Sequence, residues 1–278
     1  MSPQALLEVR NLRVCFRLAH QSKPAVAGLS YTLHAGETLA LVGQSGSGKT
    51  VSCRALTGLL PPHAAVSGSA LFMGKELLGL DERALRSTRG AGIAMIFQDP
   101  TRSLNPAMRV GRQIMEALRL HQRMSKDDAH RRAVQLLERF RLHPAEEQVF
   151  AYPHQLSGGM QQRVMIAIAL ASRPRILIAD EATRSLDVIT QAEVLRLLKE
   201  LQQQLGMALV LITHDLRIAA NVADNVIVMQ GGVAVEQGST PAVIRHPRSE
   251  YARALLDAAP RGTFTCEDAD EPLRMDAS

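Results

Sequence analysis

The 278-residue chain has no tryptophan, only three tyrosines and only six phenylalanines. So few aromatic rings leave little on which bases could stack, which counts against single-stranded nucleic acid as a partner. The net charge of +5 does not reverse this. Its basic residues are scattered and often stand at helical spacing beside acids, as Arg131 and Arg132 do with Glu138. No nucleic-acid partner is expected. Cysteine is scarce as well: Cys15, Cys53 and Cys266 lie far apart and form no C-x-x-C pair. Neither a disulfide framework nor a metal site is indicated, and free thiols in a reducing cytosol are the expectation. Long apolar runs are missing too. The most apolar stretch, residues 164–171, falls well short of the ~18 residues that span a bilayer. The first residues, MSPQALLEVRNLRV, lack a basic region followed by an apolar core, so a secretory leader is not expected. Any role at a membrane then runs through partners.

What is present suffices for one large domain, or for a domain with a subdomain, since 46% of the residues are hydrophobic. LLEVRNLRVCF, VAGLSYTL and TLALVG alternate apolar and polar residues in short runs, which predicts strands joined by turns. Residues 49–60 read as a helix stopped by Pro61 and Pro62. Residues 67–73 and 93–97 read as further strands, and residues 110–142 carry helical periodicity. Beyond 158, helices alternate with the runs RILIAD, ALVLIT and NVIVM, apolar enough for a parallel sheet covered on both faces. VAVEQG, after Gly231 and Gly232, reads as a hairpin arm. The expected fold is therefore an α/β core with a β-rich amino-terminal part and a helical insertion near 99–157. Residues 259–278, with Glu267, Asp268, Asp270 and Glu271, are expected to form a mobile acidic tail.

Residues 43–50, GQSGSGKT, match G-x-x-x-x-G-K-[ST] between a predicted strand and a predicted helix. That arrangement suits phosphate. Gly43, Gly46 and Gly48, with Ser45 between them, let backbone N–H groups turn inward, and the helix adds its unpaired amides and positive dipole end. Lys49 is placed for β- and γ-phosphates, and Thr50 for Mg²⁺. RILIADE sets Asp180 and Glu181 at the carboxyl end of a buried strand, the edge where open parallel sheets bind ligands. Asp180 is the candidate Mg²⁺ ligand, and Glu181 the candidate for polarising an attacking water. Gln98 and His214 stand just beyond two other strands of the expected sheet. Gln98 can orient water and touch Mg²⁺, and His214 can hydrogen-bond a γ-phosphate oxygen. Phosphoryl transfer asks for this positioning and charge neutralisation more than for covalent chemistry.

A second glycine-rich helix start, LSGGMQQR at 156–163, lies more than a hundred residues away and has no acid or metal partner nearby in sequence. It resembles the signature motif of ATP-binding cassette ATPases, and the resemblance runs from about residue 6 to 258. FQDPTRSLNP, YPHQLSGGMQQRVMIAIAL, LDVITQAEVL and ALTGLLPP are similar to stretches of the oligopeptide/dipeptide/nickel importer group. The resemblance implies a P-loop NTPase of cassette type that hydrolyses ATP with Mg²⁺. It implies head-to-tail pairing with a second ATPase subunit, by expectation a heterodimer. Ser157, Gly158 and Gly159 would then donate hydrogen bonds to the γ-phosphate held by the partner. Asp187 would bridge the two halves. Phe16 is the candidate for stacking on adenine, or equally a core strand residue. The helical insertion, with residues 98–106, would receive a helix from one of two membrane permeases served by a solute-binding protein. The chain would sit on the cytoplasmic face of the inner membrane. Peptide, nickel and metal–chelate cargoes all stay open.

The sequence departs from the family pattern in three places. Ala182 replaces a proline after the acidic pair, Arg184 stands where a small polar residue is usual, and Gln44 replaces a glutamate in the first loop. Many relatives carry a carboxyl-terminal cysteine cluster for an iron–sulfur centre. Here only Cys266 stands in that region, so no cluster is expected. Two other classes compete with this reading. A cassette ATPase of translation or DNA would carry two cassettes or a long coiled coil. A nucleotide-dependent assembly subunit of a cytosolic enzyme complex would not follow permeases on fractionation.

Overall fold

The computed structural model describes residues 5–18, 21–122, 124–184 and 186–258. The expected acidic tail and Cys266 lie outside them. Strands β1 (Ala5–Leu18) and β2 (Gln21–His34) pair antiparallel. β3 (Thr38–Val42) leads through the first loop into α1 (Lys49–Leu56). β4 (Ala64–Phe72) and β5 (Lys75–Glu76) complete an antiparallel sheet in the order β2-β1-β4-β5. After α2 (Glu82–Thr88) and β6 (Ile93–Ile96) comes a helical run. It holds α3 (Pro100–Ser103), α4 (Val110–Gln122), α5 (Lys126–Arg139) and α6 (Ala145–Gln148), then a 3-10 turn at Pro153–Gln155 and α7 (Gly158–Ala171). β7 (Ile176–Asp180), α8 (Val188–Leu205), β8 (Ala208–Thr213), α9 (Leu216–Val222) and β9 (Asn225–Gln230) follow. β10 (Val233–Ser239), α10 (Thr240–Arg245) and α11 (Glu250–Ala258) complete the described chain.

The second sheet has six strands in the order β10-β9-β3-β8-β7-β6. Its five strands from β9 to β6 form four parallel pairs, and only β10 runs antiparallel as the hairpin arm. Every residue of β3, β7 and β8 is buried. The period of two in a strand sends alternate side chains to opposite faces. On β7, Leu177 and Ala179 join the helical side with α4, α5, α7 and α8, while Ile176 and Ile178 join the side covered by α1 and the antiparallel sheet. Continuous apolar runs are thus the signature of a strand with two covered faces.

One helix end differs from expectation. The first helix ends at Leu56, four residues before the expected Leu60. Gly58 adopts a left-handed backbone (φ 62°), where a Cβ would lie 2.5 Å from Leu85, so the helix closes on a glycine rather than on the prolines. The periodicity of 110–142 belongs to two helices, because Ser125 caps α5 by accepting the Asp128 amide.

Glu236 on β10 fixes where the last helix docks. Its carboxylate accepts the amides of Arg248 and Ser249 at 2.9 and 2.8 Å and the Ser249 hydroxyl at 2.8 Å. Burial alone would raise this carboxyl, but those donors outweigh it and hold it below the ordinary range. A carboxylate depressed in the folded state contributes stability above its unfolded value and loses it as pH falls through the folded one. Replacing Glu236 by Ala is expected to cost about 1–2 kcal/mol at pH 7. The difference from the parent should shrink as urea titrations are repeated toward pH 3. An equal difference at both pH values would contradict the assignment.

Candidate active site

The carboxyl ends of β3, β8, β7 and β6 lie side by side, and each leads into one part of the site. From β3 the chain enters the first loop. Gly48 caps α1 with φ 99°, and a Cβ there would stand 2.4 Å from the Ala25 carbonyl oxygen. A Cβ on Gly43 would stand 2.1 Å from the Met229 carbonyl oxygen. Backbone packs against backbone at both positions, so only glycine fits. Ser45 and Gly46 are exposed at the loop's crest.

Lys49 is buried and folds back over its own loop. Its Nζ donates to the carbonyls of Gly43 at 2.6 Å and Gln44 at 2.9 Å, with the Ser47 hydroxyl at 3.4 Å. Burial lowers the ammonium pKa, Glu181 and Asp180 oppose that shift, and Arg184 adds to it. Carbonyls are the partners an ammonium can leave for a phosphate, whose charge repays desolvation far better. Thr50 Oγ1 donates to Asp180 Oδ1 at 2.7 Å, joining the start of α1 to the end of β7. Burial pushes the Asp180 carboxyl up, and the Thr50 bond, Arg54 and Lys49 pull against it.

Glu181 has a left-handed backbone (φ 45°), and its amide donates to the Ile212 carbonyl of β8 at 3.0 Å. A non-glycine residue held in that region aims its side chain where an ordinary strand end would not. Its Oε2 accepts Gln98 Nε2 at 3.3 Å and Arg184 Nη1 at 2.7 Å. Gln98, beyond β6, and Glu181, beyond β7, are thereby brought together. His214 follows Thr213, whose carbonyl accepts the Gly43 amide at 3.3 Å. The His214 ring is exposed and makes no hydrogen bond among the described residues.

The remaining candidates stand apart from this cluster. Ser157 caps α7 by accepting the Met160 amide at 3.3 Å. Ser157 and Gly158 are exposed, and among the described residues no hydrogen bond joins 157–159 to 43–50. Asp187 caps α8, accepting Thr190 N at 3.0 Å and Thr190 Oγ1 at 2.7 Å. Those bonds hold its carboxyl below the ordinary range. Phe16 lies on β1 in the antiparallel sheet, partly exposed, with its ring 5.8 Å from that of His63.

Comparison with known proteins agrees with this geometry. A family model described as ABC transporter matches residues 26–184. The oligopeptide transport ATP-binding protein OppD of Salmonella typhimurium is 48% identical over 256 residues, which cover 92% of this chain and 76% of that protein. The chain belongs to the oligopeptide/dipeptide group of the ABC transporter ATPases. The dipeptide transport ATP-binding protein DppD of Bacillus subtilis is 44% identical, over 93% of this chain and 78% of that one. Among solved structures, the dimeric post-hydrolysis state of the ATP-binding cassette MJ0796, bound to ADP and Pi, superposes with a TM-score of 0.76 at 28% identity. It covers 84% of this chain and 98% of its own. The α/β cassette fold, the ATPase activity and ATP as its nucleotide are thus established for this chain.

One residue of the ATPase that touches the loop was given no role by the sequence. Tyr251 of α11 accepts the Gln44 amide on its hydroxyl at 2.9 Å, across 207 residues of sequence. Nothing in the pattern of HPRSEYARALL, residues 246–256, says that its tyrosine reaches the loop. Through Ser249 and Glu236, α11 is anchored to β10, so the loop is braced from the far end of the chain. Tyr251→Phe removes the acceptor alone. It is expected to weaken ATP binding about two- to fivefold by isothermal titration, with the fold intact by circular dichroism. Unchanged affinity would show that the brace is incidental.

Proposed function

We propose that this ATPase powers a peptide importer from the membrane surface. It would pair head-to-tail with a second ATPase subunit and dock on two permease subunits, which draw cargo from a solute-binding protein. The observation that carries this reading is the separation of two phosphate-binding helix starts. The start of α1 is tied to the acidic strand end by the Thr50–Asp180 bond, whereas Ser157 and Gly158 at the start of α7 are exposed, and among the described residues no hydrogen bond joins 157–159 to their own loop at 43–50. A second chain, rotated by two-fold symmetry, would bring each exposed start over the other's loop. Cargo of peptide class is supported by the names of the relatives, OppD and DppD.

In this reading residues 6–258 form one nucleotide-binding domain, and the helices within 99–157 are the part turned to the permeases. Lys49 holds the β- and γ-phosphates once it leaves the carbonyls of Gly43 and Gln44. The amides at 46–50 cradle the same oxygens. Glu181 accepts the proton of the attacking water, and Gln98, already bonded to it, orients that water. His214 is free to donate to a γ-phosphate oxygen, and the partner's signature would supply the remaining donors. Phe16 would meet the adenine ring. The donor set fits Mg²⁺: the Thr50 hydroxyl and Asp180 carboxylate already touch, and the Gln98 side-chain oxygen would be a further hard donor. When bound there, Mg²⁺ neutralises phosphate charge.

Two experiments test the reading. Glu181→Gln should reduce turnover about a hundredfold or more while ATP binding persists. Undiminished turnover would remove Glu181 from the mechanism. Tagged protein recovered from detergent-solubilised membranes of its host should bring two polytopic permeases and a second cassette ATPase, identified by mass spectrometry. Recovery of soluble enzymes alone would overturn the importer assignment and leave the ATPase standing.

A further inference from the structure

Arg184 is the departure from the family pattern that reaches the chemistry. Thr183 and Arg184 follow Glu181 in a tight turn, in which the Arg184 amide donates to the Glu181 carbonyl at 3.0 Å. That turn carries the guanidinium back over the carboxylate, where Nη1 meets Oε2 at 2.7 Å. The two partners differ in freedom. The carboxylate is about 10% exposed and the guanidinium about 50%. The carboxylate is also rooted in a fixed backbone, through the Glu181 amide on Ile212. Among the described residues the Arg184 side chain makes no other hydrogen bond, so its reach is spent on this one oxygen.

We propose that Arg184 is a positioning residue that restrains Glu181 and holds the intrinsic rate of ATP hydrolysis low. The inference rests on Glu181 being the base. To take a proton from water, a carboxylate oxygen must present a free lone pair along the water's O–H direction. Oε2 already accepts two donors, Arg184 Nη1 and Gln98 Nε2. Oε1 keeps its lone pairs, but Oε2 is the oxygen beside Gln98, the expected water-orienting residue, and there the Arg184 contact competes with water. A small polar residue at 184, usual in the family pattern, would leave that oxygen open. The guanidinium is half-exposed, so the pair is weak enough to be broken during turnover and slows the ATPase rather than silencing it.

The test uses the full-length chain. Arg184→Ser should raise kcat for ATP about three- to tenfold with KM unchanged, and Arg184→Lys should stay near the parent rate because an ammonium can take the same place. Arg184→Gln serves as the second variant should the serine form fold poorly. An independent readout avoids turnover altogether. In the Glu181→Gln background, adding Arg184→Ser should leave the dissociation constant for Mg²⁺–ATP unchanged by isothermal titration. An unchanged or lower kcat for Arg184→Ser would overturn the proposal. So would weaker ATP binding in the double variant, which would place the guanidinium on the nucleotide instead. If Glu181→Gln alone still turns over, the fault lies with the assignment of the base and not with Arg184.

Discussion

The hydrogen bond from Thr50 to Asp180 joins residues 130 positions apart in sequence, and the rest of the site is arranged around it. It exists because β3, β8 and β7 run parallel in register, with Val42 level with Thr213 and Asp180 level with Ile212. A shift of one residue would turn Asp180 away from the α1 start and bring its neighbour's backbone there instead. The register is held by apolar side chains buried on both faces of each strand. The polar cluster at the strand ends is thus specified by a core with no polar side chains between Leu39 and Val42 or between Ile176 and Ala179.

The two glycine-rich helix starts share a local chemistry and differ in surroundings. The first is enclosed by Ala25, Met229 and Gly232 and faces two carboxylates. The second has open space around Gly158 and only Thr190 close to Gly159. Yet α7 is not isolated from the first site. Thr101, just past Gln98, donates its hydroxyl to Gln161 on α7 at 3.3 Å. Arg163 on α7 pairs with Glu193 on α8 at 2.5 Å, and α8 is capped by Asp187. Helix α7, which starts at the signature, is therefore bonded both to the segment after Gln98 and to the helix after the acidic strand.

Much of this was legible in the residues. Runs such as RILIAD and ALVLIT have no polar alternation, so a doubly covered parallel strand was the consistent reading. The acid at the end of one of them marked the ligand edge. GQSGSGKT announces its chemistry because backbone approach and φ above zero demand glycine at set spacings. Helix ends were less legible: α1 stops on Gly58, whose left-handed turn depends on packing against Leu85 rather than on the prolines beyond. Long-range polar contacts were not legible at all. Nothing local in Tyr251 points to Gln44, and nothing local in Arg184 says that its guanidinium turns back to Glu181 rather than out to solvent. Those placements follow from tertiary geometry, which pattern and propensity do not encode.

In the proposed pairing, the exposed start of α7 completes a nucleotide site on another chain. The most direct measurement places Ser157→Arg in this chain alone, within the purified complex that also holds its partner ATPase. Photoactivatable azido-ATP, trapped with vanadate, then reports which chain retains nucleotide during turnover. The account predicts that labelling at the partner's phosphate loop is lost while labelling at the loop around Lys49 persists. Loss at Lys49 with the partner's site intact would contradict it.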